Sequence, residues 1–222
     1  MNVAALSLGQ FHEVSVSTES LADSLQFYEL MGFVTNRVEP IWPHPYAVVS
    51  LGKLVVGLHE YRFPSPSITC VHHDIDAALQ AYQEAGAVIA FAKTDPNHFR
   101  EFGFRDPAGH MVTLLERSTH LGDAIDPNGV SRTLGRFAGF SLPSAASEIS
   151  SGFWQAIGAR PLVGQPMDSR AWPVTMLDAA GLIMGIHDDS WLDKPAFVFH
   201  RPGASEKTVF ESPEGARLIV IG

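Results

Sequence analysis

The chain of 222 residues has one cysteine, Cys70, so no disulfide can form within it. A single thiol is typical of proteins from reducing compartments. Lysine and arginine are few, 15 against 24 aspartates and glutamates, and the net charge of −9 argues against nucleic acid as a partner. No apolar run is long enough to span a membrane, and residues 1–9 lack the basic region and apolar core of a signal peptide. We therefore predict a cytoplasmic protein with no membrane partner.

The sequence contains an internal repeat, which indicates two copies of one folding unit. Leu-Gly-Gln-Phe at 8–11 recurs as Leu-Gly-Arg-Phe at 134–137, Phe27-Tyr28 as Phe153-Trp154, Val-Gly-Leu-His-Glu at 56–60 as Met-Gly-Ile-His-Asp at 184–188, and Asp-Pro-Ala-Gly at 106–109 as Ser-Pro-Glu-Gly at 212–215. The interval between the last two signals is shorter in the second copy by about one helix. We therefore expect a degenerate second half in which residues 196–222 lack the helix predicted at 75–85.

The pattern of apolar residues predicts an α+β fold. Strand-like alternation and helical spacing give a β-α-β-β-β module over residues 11–61 and a second over 67–116. The second half repeats the plan with a helix at 145–157 and strands that include 161–164 and 173–178. The polar, turn-rich stretch 119–132 is the natural linker, so the predicted units are 1–118 and 133–222.

These features together resemble the vicinal oxygen chelate superfamily. The features are paired β-α-β-β-β modules, the Phe27-Tyr28 pair late in the first helix, and the Asp-Pro-x-Gly-His turn at 106–110 before the last strand of the half. The superfamily includes glyoxalase I, extradiol dioxygenases, fosfomycin-resistance enzymes and bleomycin-resistance proteins. The resemblance implies repeated modules that form two cupped mixed sheets. One fold hosts unrelated chemistries, so it does not by itself imply an activity.

The resemblance also implies where a metal would bind. The positions that correspond to the superfamily's ligands carry Glu13, Gly57, Ser67 and Thr113, and in the second copy Gly139, Gly185 and Ile219. Only Glu13 is a strong ligand, whereas a divalent ion needs about three or four. We therefore expect no metal and no other cofactor. A divalent metal is the alternative, with Glu13 and His59 as ligands, completed by Glu101 or His98.

Strand alternation predicts which side chains share the cavity of the first half, because residues two apart lie on one face. The inward set is Glu13, Ser15, His59, Ser67, Thr69 and Thr113, and the set on the opposite face is His12, His110 and Glu116. A register error of one residue would exchange the two sets.

Several candidate residues have a structural alternative. Glu13 could be a ligand or base, or could pair with an arginine between the halves, and His59 recurs as His187, which favours a structural role. Trp42 and Tyr46 belong to a proline-rich loop, where ligand contact and lid packing are both open.

Two functions follow for the first half. The first is metal-free binding of a small, aromatic molecule in the cup, as in bleomycin-resistance proteins, with Ser67, Thr69, Thr113, Trp42, Tyr46 and Glu101 as binding residues. The alternative is a metal-dependent lyase, isomerase or dioxygenase in which Glu13 and His59 are catalytic. The expected partners are a small-molecule ligand or substrate and, as an open option, a second copy of the chain in a homodimer.

Overall fold

The computed structural model describes residues 6–122, 125–162, 172, 174–188, 190 and 192–222. The described part of the first half contains β1 (Gln10–Ser17), α1 (Leu21–Leu30), β2 (Val34–Asn36), β3 (Tyr46–Leu51), β4 (Leu54–His59), β5 (Ser67–Val71), α2 (Ile75–Glu84), β6 (Ile89–Lys93), β7 (Glu101–Arg105) and β8 (Met111–Leu115). That of the second half contains β9 (Arg136–Pro143), α3 (Ser147–Ala156), β10 (Arg160–Pro161), β11 (Thr175–Ala179), β12 (Leu182–His187), β13 (Ala196–His200), β14 (Thr208–Glu211) and β15 (Arg217–Ile221).

The strands form two mixed sheets with matching topology. The first-half order is β2-β3-β4-β1-β5-β8-β7-β6, and the second-half order is β10-β11-β12-β9-β13-β15-β14. In each sheet a central strand, β1 or β9, runs parallel to one neighbour and antiparallel to the other, which joins the two modules of that half. The predicted α+β fold of repeated modules is confirmed.

The two helices of the first half begin where polar side chains cap them, whereas α3 begins after Ala146 without a side-chain cap. Ser20 accepts a hydrogen bond from the Asp23 backbone at the start of α1, and Asp74 accepts one from Ala77 at the start of α2. Helix α1 ends just before Gly32, whose φ of +93° is a conformation that glycine adopts without strain. These local signals place the helices close to their predicted positions.

The second half differs from the first as the repeat predicts. Residues 196–222 form β13, β14 and β15 with no helix, which confirms the loss of the element that corresponds to α2. The strand predicted at 161–164 ends at Pro161, and residues 163–164 lie outside the described residues, as does residue 173 of the strand predicted at 173–178. The boundaries at 118 and 133 stay predictions.

A tryptophan fills the cup of the second half. Trp172 is 3% exposed and donates from Nε1 to Ser141 Oγ at 3.2 Å. A Cβ added to Gly139 or Gly185 would lie 2.7 Å from the Trp172 ring. The two glycines therefore make room for this ring, and the second cup is an apolar core.

No helix among the described residues is long and apolar enough to cross a membrane.

Candidate functional site

A cavity of about 100 Å³ lies against the first-half sheet. We call it the first-half cavity, and its lining residues are Glu13, Ser15, Trp42, His44, His59, Tyr61, Phe63, Pro64, Ser67, Thr69, Phe91, Glu101, Met111, Thr113 and Leu115. Tyr61 and Pro64 are exposed and mark its mouth, whereas Glu13, Ser67 and Thr69 are buried at its floor. The cavity has a polar floor and a largely aromatic rim.

Seven of the eight residues predicted for the site line this cavity. They are Glu13, His59, Ser67, Thr69, Thr113, Trp42 and Glu101. The eighth, Tyr46, is not a lining residue, but its hydroxyl donates to Glu13 Oε2 at 2.5 Å. The roles of these residues in binding or catalysis stay predictions, because the geometry shows their position and not their action.

The Glu13 carboxylate is buried among hydrogen-bond donors. Ser15 Oγ donates to Glu13 Oε1 at 2.8 Å, and His59 Nε2 lies 3.2 Å from the same oxygen. Burial alone would raise the pKa of Glu13, but His59, His12 and Tyr46 lower that pKa to about 2. Glu13 is therefore ionised at neutral pH. The carboxylate occupies the space that a side chain at Gly57 would fill, since a Cβ there would overlap it.

A chain of imidazoles connects Glu13 with the mouth of the cavity. His59 Nδ1 lies 3.0 Å from His44 Nε2, while the other ring nitrogen of His59 faces Glu13. His44 is partly exposed and stacks on Tyr61, with ring centroids 4.9 Å apart. Burial lowers the pKa of His44, and electrostatic interactions with His59 and Lys93 lower it further. The pair links a buried carboxylate to solvent.

The hydroxyls of the floor are paired with one another. Ser15 Oγ lies 2.7 Å from Thr69 Oγ1, and Ser67 Oγ lies 2.8 Å from Thr113 Oγ1. At the metal position that the resemblance implies, the available groups are the hydroxyls of Ser67 and Thr113, the Glu13 carboxylate and Gly57, which has no side chain. Two hydroxyls and one carboxylate do not make a strong site for a divalent transition metal. The residues there do not fit a metal ion.

A second group of ligand-type side chains lies beside Glu13. His12, Glu13 and His120 place one candidate ligand atom each within 4.8 Å of one another, and His12 Nε2 lies 4.0 Å from Glu13 Oε2. The rings of His12 and His120 stack with centroids 4.2 Å apart. We call this set the His12–Glu13–His120 group.

The two imidazoles of this group differ in their surroundings. Burial lowers the pKa of His12 to about 4, and its Nε2 lies 2.7 Å from Thr119 Oγ1 and accepts a hydrogen bond from the Thr119 backbone N–H at 3.3 Å. His120 is 9% exposed, and both of its ring nitrogens are buried with no hydrogen-bond partner among the described residues. Buried nitrogens of this kind are rare without a ligand, an ion or water.

The expectation of no metal or other cofactor is therefore wrong. The described residues bring a carboxylate and two imidazoles together, one of the imidazoles being unpartnered. His12, which was expected on the opposite face, is not among the lining residues of the first-half cavity. Its ring nevertheless lies beside the Glu13 carboxylate, at a point where the pairing of β1 with β5 shifts register between Phe11 and Glu13. Glu13 belongs to the group as expected, whereas His59 faces the other carboxylate oxygen.

The remaining histidine and acid predictions fall elsewhere. His110 Nδ1 lies 3.0 Å from Asp106 Oδ2, and Glu116 accepts a hydrogen bond from Arg100 Nε at 2.8 Å. Cys70 is fully buried in the core, and burial raises the pKa of its thiol to about 12. His98 is exposed and pairs with Asp95. None of these residues lines the first-half cavity.

Sequence reasoning missed Thr119 and His120, because both fall in the segment predicted to be a linker. That segment folds back onto the first half, where His120 forms an isolated β-bridge with Val38 and the Thr119 carbonyl accepts from the Glu39 backbone. Strand alternation carries no information about residues outside strands. The available signal was a histidine a few residues after the end of the last strand of the half.

No protein-family model matches the chain, and no curated protein matches it. Solved structures do. A variant of homoprotocatechuate 2,3-dioxygenase from Brevibacterium fuscum has a TM-score of 0.63 at 12% identity, over 99% of this chain and 73% of that one. The same enzyme in its complex with 3,4-dihydroxyphenylacetate gives 0.62 at 13% identity, over 99% and 82%. A catechol 2,3-dioxygenase gives 0.56 at 12% identity, over 96% and 87%.

The chain thus has the vicinal oxygen chelate fold of these extradiol dioxygenases, which confirms the resemblance at the level of the fold. At 12% identity the similarity concerns the fold alone.

Proposed function

We propose that the first half of the chain is a metal-dependent enzyme that acts on a small aromatic molecule. The observation that carries the proposal is the His12–Glu13–His120 group beside the cavity floor, with His120 buried and unpartnered among the described residues. Glu13 belongs to both the group and the cavity lining, so it connects the two. This supports the metal-dependent alternative over metal-free binding.

The donor set indicates the class of metal. Two imidazoles and one carboxylate are the donors that non-haem iron(II) oxygenases use, and Zn²⁺ accepts the same ligand types. His12, Glu13 and His120 would hold the ion, which when bound supplies Lewis-acid polarisation of a substrate oxygen.

The chain's own residues supply binding and proton transfer. Trp42, Phe63 and Phe91 offer apolar faces to a ring, while the floor hydroxyls of Ser67 and Thr69 can orient its polar substituents. A proton can pass between cavity and solvent through His44 and His59, since these two imidazoles lie within hydrogen-bond distance of each other. The buried floor keeps bulk water from the far end of the substrate.

Dioxygenation of a dihydroxylated ring is the first activity to assay. It is favoured by the donor set and by structural neighbours that are homoprotocatechuate and catechol 2,3-dioxygenases. A lyase or isomerase is the second candidate, and the observation that favours it is the contact of Glu13 with His59 and of His59 with His44, which suits proton transfer without oxygen. Oxygen uptake with catechols tests the first candidate, and exchange of substrate protons for deuterium tests the second.

Elemental analysis of untagged protein, reconstituted in turn with Fe²⁺, Mn²⁺ and Zn²⁺, tests the metal centre. We expect near-stoichiometric metal in the native chain and loss of it in Glu13→Gln and in His120→Ala. His98→Ala is the matched control, because His98 is exposed and lies outside the group. Retention of metal in His120→Ala, or trace metal in the native chain, would overturn the proposal.

A cytoplasmic location, a homodimer and the unit boundaries at 118 and 133 are retained as further proposals. Gel filtration with light scattering tests the homodimer.

A further inference from the structure

We infer that the ligand of the first-half cavity is an arylalkylamine, a small aromatic ring that bears a protonated amine, and that its ammonium group binds between Glu101 and Phe91. The inference deepens the proposed function, on which it rests for the role of this cavity as the substrate site. It concerns the charge of the ligand, which the metal group does not determine.

Two buried carboxylates line the cavity without a lysine or arginine beside them in the described part of its lining. Glu13 is 2% exposed and Glu101 is 7% exposed, and both line the cavity. No lysine or arginine is among the lining residues that the structure describes. A ligand carboxylate would enter beside two buried carboxylates, while Lys93 at the edge is already paired with Glu101, and this is unfavourable in a site shielded from water.

A cation already lies at the edge of the proposed subsite. Lys93 Nζ donates to Glu101 Oε1 at 2.6 Å and lies 5.8 Å from the centroid of the Phe91 ring. A primary ammonium group therefore fits between this carboxylate and this aromatic face, where both ion pairing and the ring quadrupole favour it.

The Lys93 side chain is displaceable. It is 65% exposed, and it meets Glu101 as the directly opposite residue of the neighbouring strand β7. The lysine end of this pair is exposed, so water competes for the ammonium group, and the pair restricts the rotamers of the lysine side chain. A ligand ammonium can take its place on Glu101 while Lys93 returns to solvent.

A further lining residue offers a donor for an oxygen of the ligand. The Trp42 indole Nε1 is buried without a hydrogen-bond partner among the described residues, and Trp42 lines the cavity. Buried donors are almost always paired, so an acceptor on the ligand, such as a ring hydroxyl, would satisfy this group.

The size of the cavity limits the ligand to one ring. An engineered apolar cavity of about 150 Å³ holds benzene. The first-half cavity has about 100 Å³ and opens between Tyr61 and Pro64, so it encloses part of a single ring and leaves the remainder at the mouth.

Binding to metal-free protein, treated with chelator, tests the inference with three probes that share one ring. The probes are tyramine, 4-ethylphenol and 4-hydroxyphenylacetate, which carry a positive, zero and negative charge. Calorimetric titration should show tyramine binding at least tenfold more tightly than the other two. Equal affinities, tighter binding of the acid, or no binding of any probe would overturn the inference.

Two variants distinguish a site in which Glu101 binds an ammonium group from one in which Lys93 binds a carboxylate. Glu101→Gln should abolish the preference for tyramine, whereas Lys93→Ala should raise tyramine affinity severalfold because it frees the Glu101 carboxylate. If Lys93 instead recognises a ligand carboxylate, Lys93→Ala would weaken binding of the acid and leave tyramine unchanged, which contradicts the inference. Lys93 is exposed, so its variant folds even if Glu101→Gln does not. Failure of the metal analysis leaves this measurement unaffected.

Discussion

The indole Nε1 of Trp154, in the second half, donates a hydrogen bond of 3.1 Å to Oδ2 of Asp106, in the first half. A reciprocal bond runs the other way, from the hydroxyl of Tyr28 to Oε1 of Glu214 at 2.9 Å. Tyr28 and Trp154 hold the same place in the repeat, and both acids lie in the turns before the last strand of a half. Each helix of the pair is thus tied to the turn of the other half.

Trp154→Phe should destabilise the protein more than Tyr28→Phe. The first change removes a buried donor from Asp106, which is 5% exposed, and leaves a space beside it. We expect a loss of about 2–3 kcal/mol in the free energy of unfolding. The Tyr28 change frees a half-buried Glu214 that water can reach, and we expect a loss of about 1 kcal/mol. Urea denaturation measures both.

The exposed Tyr61 supplies the control, since Tyr61→Phe should change the unfolding free energy by less than about 0.5 kcal/mol. Equal effects of the Trp154 and Tyr28 changes would show that the two bonds are not buried to different degrees in solution.

Trp172→Ala should reopen the second cup. The ring is buried among apolar side chains, so its removal leaves a cavity and should cost about 3–5 kcal/mol. Added indole should bind there and restore part of the lost stability, whereas it should not stabilise the native chain. A thermal shift series with indole measures this. A loss under about 1 kcal/mol would mean that the surrounding residues collapse into the space.

Gly57→Ala should displace the Glu13 carboxylate, because the new methyl group would overlap it. We expect a folded protein that has lost most of its metal affinity, as Glu13 leaves the His12–Glu13–His120 group. Gly152→Ala is the matched control, since nothing lies within 4 Å of a Cβ at this helical position and alanine favours a helix. Full metal content in Gly57→Ala would show that Glu13 is not a ligand of the metal.

Most of the fold was predictable from the sequence, because its signals are local. Alternation over residues 12–17 and the helical stripe through Leu21, Leu25 and Tyr28 depend on burial of one face, and the same signals recur in the second half. The shorter interval after Gly185 was enough to predict the missing helix. These features need no knowledge of which segments meet in space.

The site was predictable only where it lies on regular strands. Ser67, Thr69 and Thr113 face the cavity as counted, since β5 and β8 pair without a shift. The approach of His12 to Glu13 was not predicted because the register of β1 shifts there, and His120 was missed because it joins the site through a bridge from a segment outside the strands. Trp172 was missed because it, too, lies outside the strands. Irregular segments that contact distant parts of the chain show no regular spacing of apolar residues from which these contacts could be predicted.

The stability of the metal-free protein should fall between pH 6.5 and pH 4 because of His12. Its pKa is about 4 in the folded chain and about 6.5 in the unfolded chain, chiefly because burial disfavours the charged ring. Between these values the unfolded chain binds more protons than the folded one, so stability is complete above pH 6.5 and is lost as the pH falls. A difference of this size corresponds to about 3 kcal/mol.

Glu13 extends the same acid destabilisation to lower pH. Its pKa is about 2 in the folded chain, against an ordinary value of 4.5, so its contribution is complete above pH 4.5 and is lost as the pH falls towards 2. Urea titrations from pH 7.5 to pH 2.5, with chelator present, should show the His12 window first. His12→Gln should flatten the curve between pH 6.5 and 4.5, and it should also weaken the slope below pH 4.5, because His12 contributes to the lowered pKa of Glu13. His73→Gln, at an imidazole outside the group, should leave the whole curve unchanged. An unaltered slope in His12→Gln would show that the pKa of His12 is the same in the folded and unfolded chains, which would contradict its lowering by burial.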